Sequence, residues 1–270
     1  MAKIDPIKMV RKSSKSSKSN SFKSSKSSES SISESVNAEN MSLDELSIKK
    51  GDFSIEDLND NGENKDKYIK LKKILESSST CQISDAFSGV SGRNGVIVGL
   101  KAMNRNKVYG RIVTAKTNCD DWGTSLLAMN QAKPGEVLFL YCYGERASVW
   151  GELASTSSQE KGIAGTVLYG YARDMDAIID LDYPVYALDF CPNAGKPSAL
   201  GEVNVNIEID NQIIKPGDFI FGDESGVVVI PQEFFEDVII ATYNIKVKEN
   251  NIIKQLKAGK TLSQIVGLDK

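Results

Sequence analysis

The chain has 270 residues, 40% of them hydrophobic, and a net charge of −3. It is long enough to bury a core of its own, and its mild acidity gives no general attraction to nucleic acid or to an anionic membrane. It contains no histidine, which excludes Ser-His-Asp and Cys-His catalysis and histidine-ligated zinc or iron. Chemistry must therefore run on carboxylates, Lys, Tyr, Arg, Cys or metal-bound water, and oxygen ligands suit magnesium or manganese better than zinc.

The chain opens with a tail. From Arg11 the run RKSSKSSKSNSFKSSKSSESS alternates Ser and Lys and offers almost nothing apolar to offset ordering entropy. Residues 1–62 read as disordered and 63–270 as the folded domain. With a single Arg and no amphipathic period, the run lacks the marks of a transit peptide. It reads either as a solvated tail or as an electrostatic tether to an acidic partner.

Order is expected to begin at KYIKLKKILES, 67–77, where Tyr68, Leu71 and Leu75 recur at helical spacing. Ser79 or Ser84 can cap a short helix starting near Asp85. Strands VIVGL and RIVTA, a helix over 121–131, the turn Pro134-Gly135 and strand VLFLYC follow. A helix from about residue 149, strand GTVLYG, a helix opening at Arg173 or Asp174 and strand PVYAL complete a strand and helix alternation, which argues for a mixed α/β core. Beyond Asp189, NVNIEI, a tight Asp210-Asn211 turn, QIIKPGDFIFG and ESGVVVIP read as hairpin-linked strands. A long helix over 232–258 ends at the C-cap Gly259.

Cys81, Cys119, Cys142 and Cys191 are dispersed along the chain, with no spacing that reads as a zinc knuckle or a redox pair. There is no secretory signal, and no apolar run approaches the roughly 20 residues of a membrane span. A cytoplasmic protein with free thiols is the expectation.

The glycines of GVSGRNG, 89–95, match neither a dinucleotide fingerprint nor a phosphate loop and precede a strand where both motifs follow one, so they read as turn residues. The stretch WGELASTSSQEKGIAGTVLYGYARD is different. Gly151, Glu152, Leu153 and Ala154 sit where a helix begins, and free backbone N–H groups there can receive a carboxylate. Arg173 follows a strand end and offers a planar fork for a carboxylate or a 2-oxo acid. Asp174 beside it could hold a hard divalent cation. The alternative on residue type alone is a charged turn opening a helix.

Glu152 and Arg173 are separated by twenty residues and Asp174 follows directly. This resembles the acidic residue, twenty-residue gap and Arg-Asp of the 4-hydroxy-4-methyl-2-oxoglutarate aldolases in the RraA-like family. That family was formerly described as menaquinone methyltransferases and includes the regulator of ribonuclease E activity. CQISDAFSG, PGEVL, GIAGTVLYGYARD, PVYAL and KPGDFIFGDESGVVVIP stand in the family's order, and PNAGKPSALGEVNV is most similar to archaeal members.

The resemblance implies a swivelling β/β/α-type α/β domain, assembled as a homotrimer with sites between subunits. It implies substrate binding by Gly151, Glu152, Leu153 and Ala154 and catalytic roles for Arg173, Asp174 and Glu249, the last reached from a neighbouring subunit. Asp174 would hold Mg2+ or Mn2+, and the small-molecule partner would be a 2-oxo acid. The implied activity is carbon–carbon cleavage, as aldolase or oxaloacetate decarboxylase. Non-catalytic regulation of a ribonuclease by a trimeric binding module is the alternative. One departure stands out: many decarboxylating relatives place an acid three residues after the Asp, where this chain has Ala177, with Asp176 one place earlier.

Overall fold

The computed structural model describes residues 42–43, 46–59 and 64–269. Ser54 opens a short 3-10 turn over Ile55–Leu58 by reciprocal bonds with Asp57, and Ile55 is buried. Helix α1 (Lys65–Ser77) buries Leu71, Ile74 and Leu75. Ser79 caps α2 (Thr80–Ser91) in a capping box with Gln82, and Gly92 ends it in the left-handed region at φ 74°. Strands β1 (Lys101–Ala102) and β2 (Val108–Asn118) lead to α3 (Gly123–Gln131), β3 (Val137–Tyr143) and the short β4 (Ser148–Trp150). The central cycle is α4 (Glu152–Glu160), β5 (Gly165–Ala172), α5 (Met175–Asp180) and β6 (Val185–Phe190). After β7 (Glu202–Val203) come two hairpins, β8 (Ile207–Ile209) with β9 (Gln212–Ile214), and β10 (Phe219–Asp223) with β11 (Gly226–Ile230). Helices α6 (Phe235–Lys257) and α7 (Leu262–Ile265) close the described chain.

Nine strands form one sheet in the order β1-β6-β5-β3-β2-β10-β11, with β4 on β5 and β7 on β2. The pairs β2–β3, β3–β5 and β5–β6 are parallel, as their helical crossovers require. The two ends of this path nearly meet: Ile97 N–H donates to Val227 O (3.0 Å) and Val229 N–H to Gly95 O (2.8 Å), just before β1. The sheet is therefore an almost closed barrel. Alternation along β3 sends Val137 and Phe139 to one face, packed with Ile207, Ile209 and Ile214 of the β8–β9 hairpin. Leu138 and Leu140 face Ala128, Met129 and Ile178 on the other, beneath α3 and α5. A third cluster packs α1, α2 and α6 against β10 and β11, with Phe219 and Phe235 edge to face at 5.0 Å.

Several expectations need correction. The expected tail is shorter than 62 residues: Leu46, Phe53 and Ile55 are buried in the third cluster, and the Gly51 N–H donates to Glu236 Oε1 on α6 (2.6 Å). The folded domain thus begins well before residue 63. Residues 1–41 lie outside the described part of the chain. The helix placed near Asp85 starts five residues earlier, at Thr80, because Ser79 and not Ser84 caps it. VIVGL is no strand: Val96 forms a single bridge to Val228, Val98 is 65% exposed and Gly99 turns at φ 88°. The helix placed from residue 149 starts at Glu152, because Ser148–Trp150 is drawn into a strand beside β5.

Candidate active site

Two parallel strand ends lie side by side and each runs into a helix. Ser148 and Trp150 of β4 pair with Tyr171 and Ala172 of β5, and Arg173 N–H donates to Trp150 O (2.9 Å). The start of α4 is thereby laid against the segment that opens α5. Asp174 bends back through the left-handed region, φ 58° and ψ 44°, which is costly for a residue with a Cβ but best tolerated by Asp and Asn. The bend brings its carboxylate over Gly151: Asp174 Oδ2 accepts from Glu152 N–H (3.2 Å) and pairs with Arg173 Nε (3.3 Å).

Gly151 is required by this approach. Its backbone is extended, but a Cβ there would fall 2.5 Å from Asp174 Oδ2 and 3.0 Å from Arg173 Cγ. The amides of Leu153 and Ala154 belong to the first turn of α4 and have no acceptor within the helix, so they remain as donors at its positive end. Below them, Trp150 Nε1 donates to the buried Ser155 Oγ (2.9 Å) and fixes the indole.

These groups open onto a cavity of about 370 Å³. Its lining includes Gly151, Leu153, Ala154, Arg173 and Asp174 of the corner, Trp122, Leu126 and Met129 of the α3 region, and Ala194 of the loop after β6. The structure thus brings together all the expected binding residues except the Glu152 side chain, which is exposed and takes part through its backbone N–H. Glu249 is not among the lining residues. It lies on α6, where its carboxylate accepts from Gln82 Nε2 of α2, so any part in the site would have to be played in another subunit. A second cavity, about 290 Å³, is lined by Gly110, Gly135 and Ala164 at the opposite, amino-terminal ends of the parallel strands.

Asp121, which sequence reading did not single out, is not among the residues that line the cavity but holds two of the segments that do. It is 4% exposed and its carboxylate accepts from the N–H groups of Gly123 (2.9 Å), Ala199 (2.8 Å) and Leu200 (2.8 Å) and the hydroxyls of Thr124 (2.8 Å) and Thr117 (3.1 Å). Burial alone would raise its pKa, but the amides of Leu200 and Ala199 and the two hydroxyls outweigh it and hold the carboxyl at about 2. One side chain so fixes both the start of α3 and the 194–201 loop, which carry Trp122 and Ala194 of the cavity wall. The signal was its place just before a helix, yet its decisive partners lie 78 and 79 residues further on.

Cys119 and Cys142 are distant in sequence but neighbours in space. A hydrogen bond from Cys142 lowers the Cys119 thiol to about 7, and the same contact raises that of Cys142.

The residues at the Arg173-Asp174 corner suit a hard cation only in part. Asp174 Oδ2 is engaged by Glu152 and Arg173, and no cluster of three metal-ligating side chains occurs among the described residues. One carboxylate beside a cavity fits an ion such as magnesium, which keeps several waters and completes its shell with substrate, and does not fit an all-protein cage.

A charged pair at the carboxyl ends of parallel strands, beside a helix N-terminus and above an apolar cavity, is the arrangement by which α/β proteins hold small molecules. The pattern of the RraA-like family, described as Aldolase/RraA, matches residues 80–229, and the chain belongs to that family. It is 38% identical over 203 residues to an uncharacterized protein of the archaeon Methanocaldococcus jannaschii, covering 74% of this chain and 95% of that protein. It is 34% identical over 163 residues to a Halalkalibacterium halodurans protein provisionally named a 4-hydroxy-4-methyl-2-oxoglutarate aldolase, covering 60% and 76%. The crystal structure of an uncharacterized protein from Pseudomonas syringae pv. tomato superimposes with a TM-score of 0.63 at 26% identity, covering 72% of this chain and 96% of that one. No helix among the described residues is long and apolar enough to cross a membrane.

Proposed function

We propose that the chain is a divalent-metal-dependent lyase that cleaves a carbon–carbon bond of 2-oxo acids to release pyruvate. The observation that carries this reading is the Asp174 carboxylate, held in a strained left-handed conformation against Gly151 and beside Arg173 at the mouth of the cavity. Positive φ by itself does not mark function, since Asp210 and Asn211 adopt it in a hairpin turn; what supports the reading is that this bend sets a carboxylate beside Arg173 and the cavity. The provisional aldolase name of the Halalkalibacterium relative supports the same reaction class.

In this reading the substrate carboxylate is received by the Arg173 guanidinium and the free amides of Leu153 and Ala154, which fix its position and orientation. Asp174 would hold magnesium or manganese, which when bound supplies electrophilic stabilisation of charge on the substrate oxygens. Arg173 is placed to stabilise the negative charge that develops on the pyruvyl fragment as the bond breaks. Trp122, Leu126 and Met129 would give the substrate an apolar lining. Oxaloacetate decarboxylation passes through the same enolate, so both reactions are open to one site. A homotrimer in which Glu249 of one subunit completes the site of the next belongs to this proposal.

The test is pyruvate release from oxaloacetate and 4-hydroxy-4-methyl-2-oxoglutarate by metal-free protein, with magnesium or manganese added back. Metal-dependent release, lost in Arg173→Ala and Asp174→Ala, is expected. A folded protein that releases pyruvate from no 2-oxo acid would shift the reading to a regulatory, non-catalytic member of the family.

A further inference from the structure

The fold leaves one hydroxyl of the cavity unbonded. Resting on the 2-oxo acid reading above, we propose that Ser157 is a specificity-determining residue, whose hydroxyl hydrogen-bonds to an oxygen on C4 of the substrate and so favours 2-oxo acids that carry one.

Ser155, Thr156, Ser157 and Ser158 follow one another on α4, and they differ in what they touch. Ser155 is buried and its Oγ accepts from Trp150 Nε1 (2.9 Å). Thr156 Oγ1 donates to Glu152 O (2.9 Å), one turn back. Ser158 is buried and does not line the cavity. Ser157 is exposed and lines it, and its Oγ has no hydrogen-bond partner among the described residues. The other polar side chains of the lining are committed. Trp122 Nε1 donates to Gly195 O (3.1 Å), and the Ser148 hydroxyl is shared between Cys191 O (2.6 Å) and Asn193 O (2.7 Å). Arg173 and Asp174 serve the carboxylate head and the metal in the reading above. Ser157 is therefore the lining side chain open to a further polar atom of the substrate.

Its place along the helix says which atom. Leu153, Ala154 and Ser157 share one face, as a spacing of three and four residues requires. Ser157 lies between about 4.5 and 6 Å further along the axis than the two residues whose amides receive the C1 carboxylate. Its side chain leans toward the helix N-terminus, back over that head. This matches the reach from C1 to an oxygen on C4 of an extended chain, and exceeds the reach to one on C2 or C3. Both reactions proposed above present such an oxygen, as the hydroxyl of a 4-hydroxy-2-oxo acid or in the C4 carboxylate of oxaloacetate. Groups that a neighbouring subunit adds to the site leave this contact in place, because it rests on what α4 itself presents.

Two acids that cannot be cleaved isolate that oxygen. 4-Methoxy-2-oxobutanoate and 2-oxohexanoate differ only in O against CH2 at the atom attached to C4, and neither has the hydroxyl or carboxylate that cleavage needs. Both tryptophans of the chain, Trp122 and Trp150, line the cavity, so tryptophan fluorescence of the full chain with magnesium follows binding. The ratio of the two dissociation constants should move at least about threefold against the methoxy acid in Ser157→Ala. It should return to the wild-type value in Ser157→Thr, which keeps the hydroxyl. Ser157→Ala should also raise KM for 4-hydroxy-4-methyl-2-oxoglutarate about fivefold and leave kcat within about twofold, the pattern of a lost binding contact. A smaller shift in the ratio, a shift that Ser157→Thr does not reverse, or no binding of either acid overturns the inference. The expected shift in a protein that releases pyruvate from no 2-oxo acid upholds the contact and removes the lyase reading. Pyruvate release with an unmoved ratio upholds the lyase and overturns the role of Ser157.

Discussion

The Asp174 carboxylate lies so close over Gly151 that a methyl group at position 151 would sit 2.5 Å from its Oδ2. The small residue at the start of α4 is what permits the Arg173-Asp174 corner. Gly151→Ala is expected to displace both side chains while leaving the sheet intact, because the backbone at 151 is extended and any residue adopts it. A displacement of that size lowers catalytic efficiency about 100-fold. Steady-state kinetics together with an unchanged circular dichroism spectrum would check it, and wild-type kinetics would show that the corner need not be held this tightly.

The left-handed backbone at Asp174 separates stability from activity. Asn tolerates this conformation as well as Asp does, and its carboxamide oxygen can still accept from Glu152 N–H. Asp174→Asn should therefore unfold within about 0.5 kcal/mol of wild type and yet lose metal-dependent pyruvate release. Arg173→Ala should cost about 3 kcal/mol of transition-state stabilisation, roughly 100-fold in kcat/KM. Denaturant melts and kinetics on the same preparations test both, and an active Asp174→Asn would place the metal elsewhere.

How much of this was legible in the sequence depended on how local each signal was. VLFLYC and GTVLYG are continuous apolar runs, and they are adjacent parallel strands covered on both faces. Asp210 and Asn211 both take positive φ, at 47° and 64°, as the tight hairpin turn required. VIVGL misled because its composition is that of a strand while its pairing is a single bridge. Residues 46–59 escaped notice because Leu46, Phe53 and Ile55 follow no period and are buried only by elements far along the chain. Asp121 has a local reason to cap a helix, but its role in the cavity wall comes from a loop that only the fold delivers.

Asp121 gives the stability of the domain a defined acid limit. Its folded pKa, about 2, lies below the ordinary value of 3.8, so the group stabilises the fold above pH 3.8 and loses that contribution as pH falls toward 2. The difference corresponds to about 2 kcal/mol. Asp121→Asn should lack this part of the pH dependence. At neutral pH it should be destabilised by about 3 kcal/mol, because an amide NH2 would face the donors of Ala199 or Leu200. Urea unfolding from pH 2 to 7 on both proteins is the measurement, and parallel pH curves would remove Asp121 from this role.

Glu249 tests the proposed subunit arrangement. Its carboxylate meets Gln82 within its own chain, so a structural and a catalytic role can be told apart. Gln82→Ala breaks that contact and should leave kcat within about twofold, whereas Glu249→Gln preserves an acceptor for Gln82 and should lower kcat at least 10-fold. Light scattering should give three times the 29.5 kDa chain mass. Full activity of Glu249→Gln, or activity in a monomer, would show that no neighbouring acid is needed.

The segment before α1 decides how the N-terminal tail can be tested for partner binding. A chain starting at Lys65 removes Leu46, Phe53 and Ile55 from the cluster around α6, together with the carbonyls of Leu43 and Leu46 that accept from the Tyr243 hydroxyl. Each such apolar side chain contributes about 1.5–3 kcal/mol, so the truncation should lower Tm by roughly 10 °C or more. Partners lost from it could simply reflect a damaged domain. A chain starting at Ser42 keeps those contacts and should melt within about 2 °C of full length. Partner capture that survives in this chain places binding on the folded domain. Capture lost from it while pyruvate release persists assigns binding to residues 1–41 and separates a tethering role from the lyase.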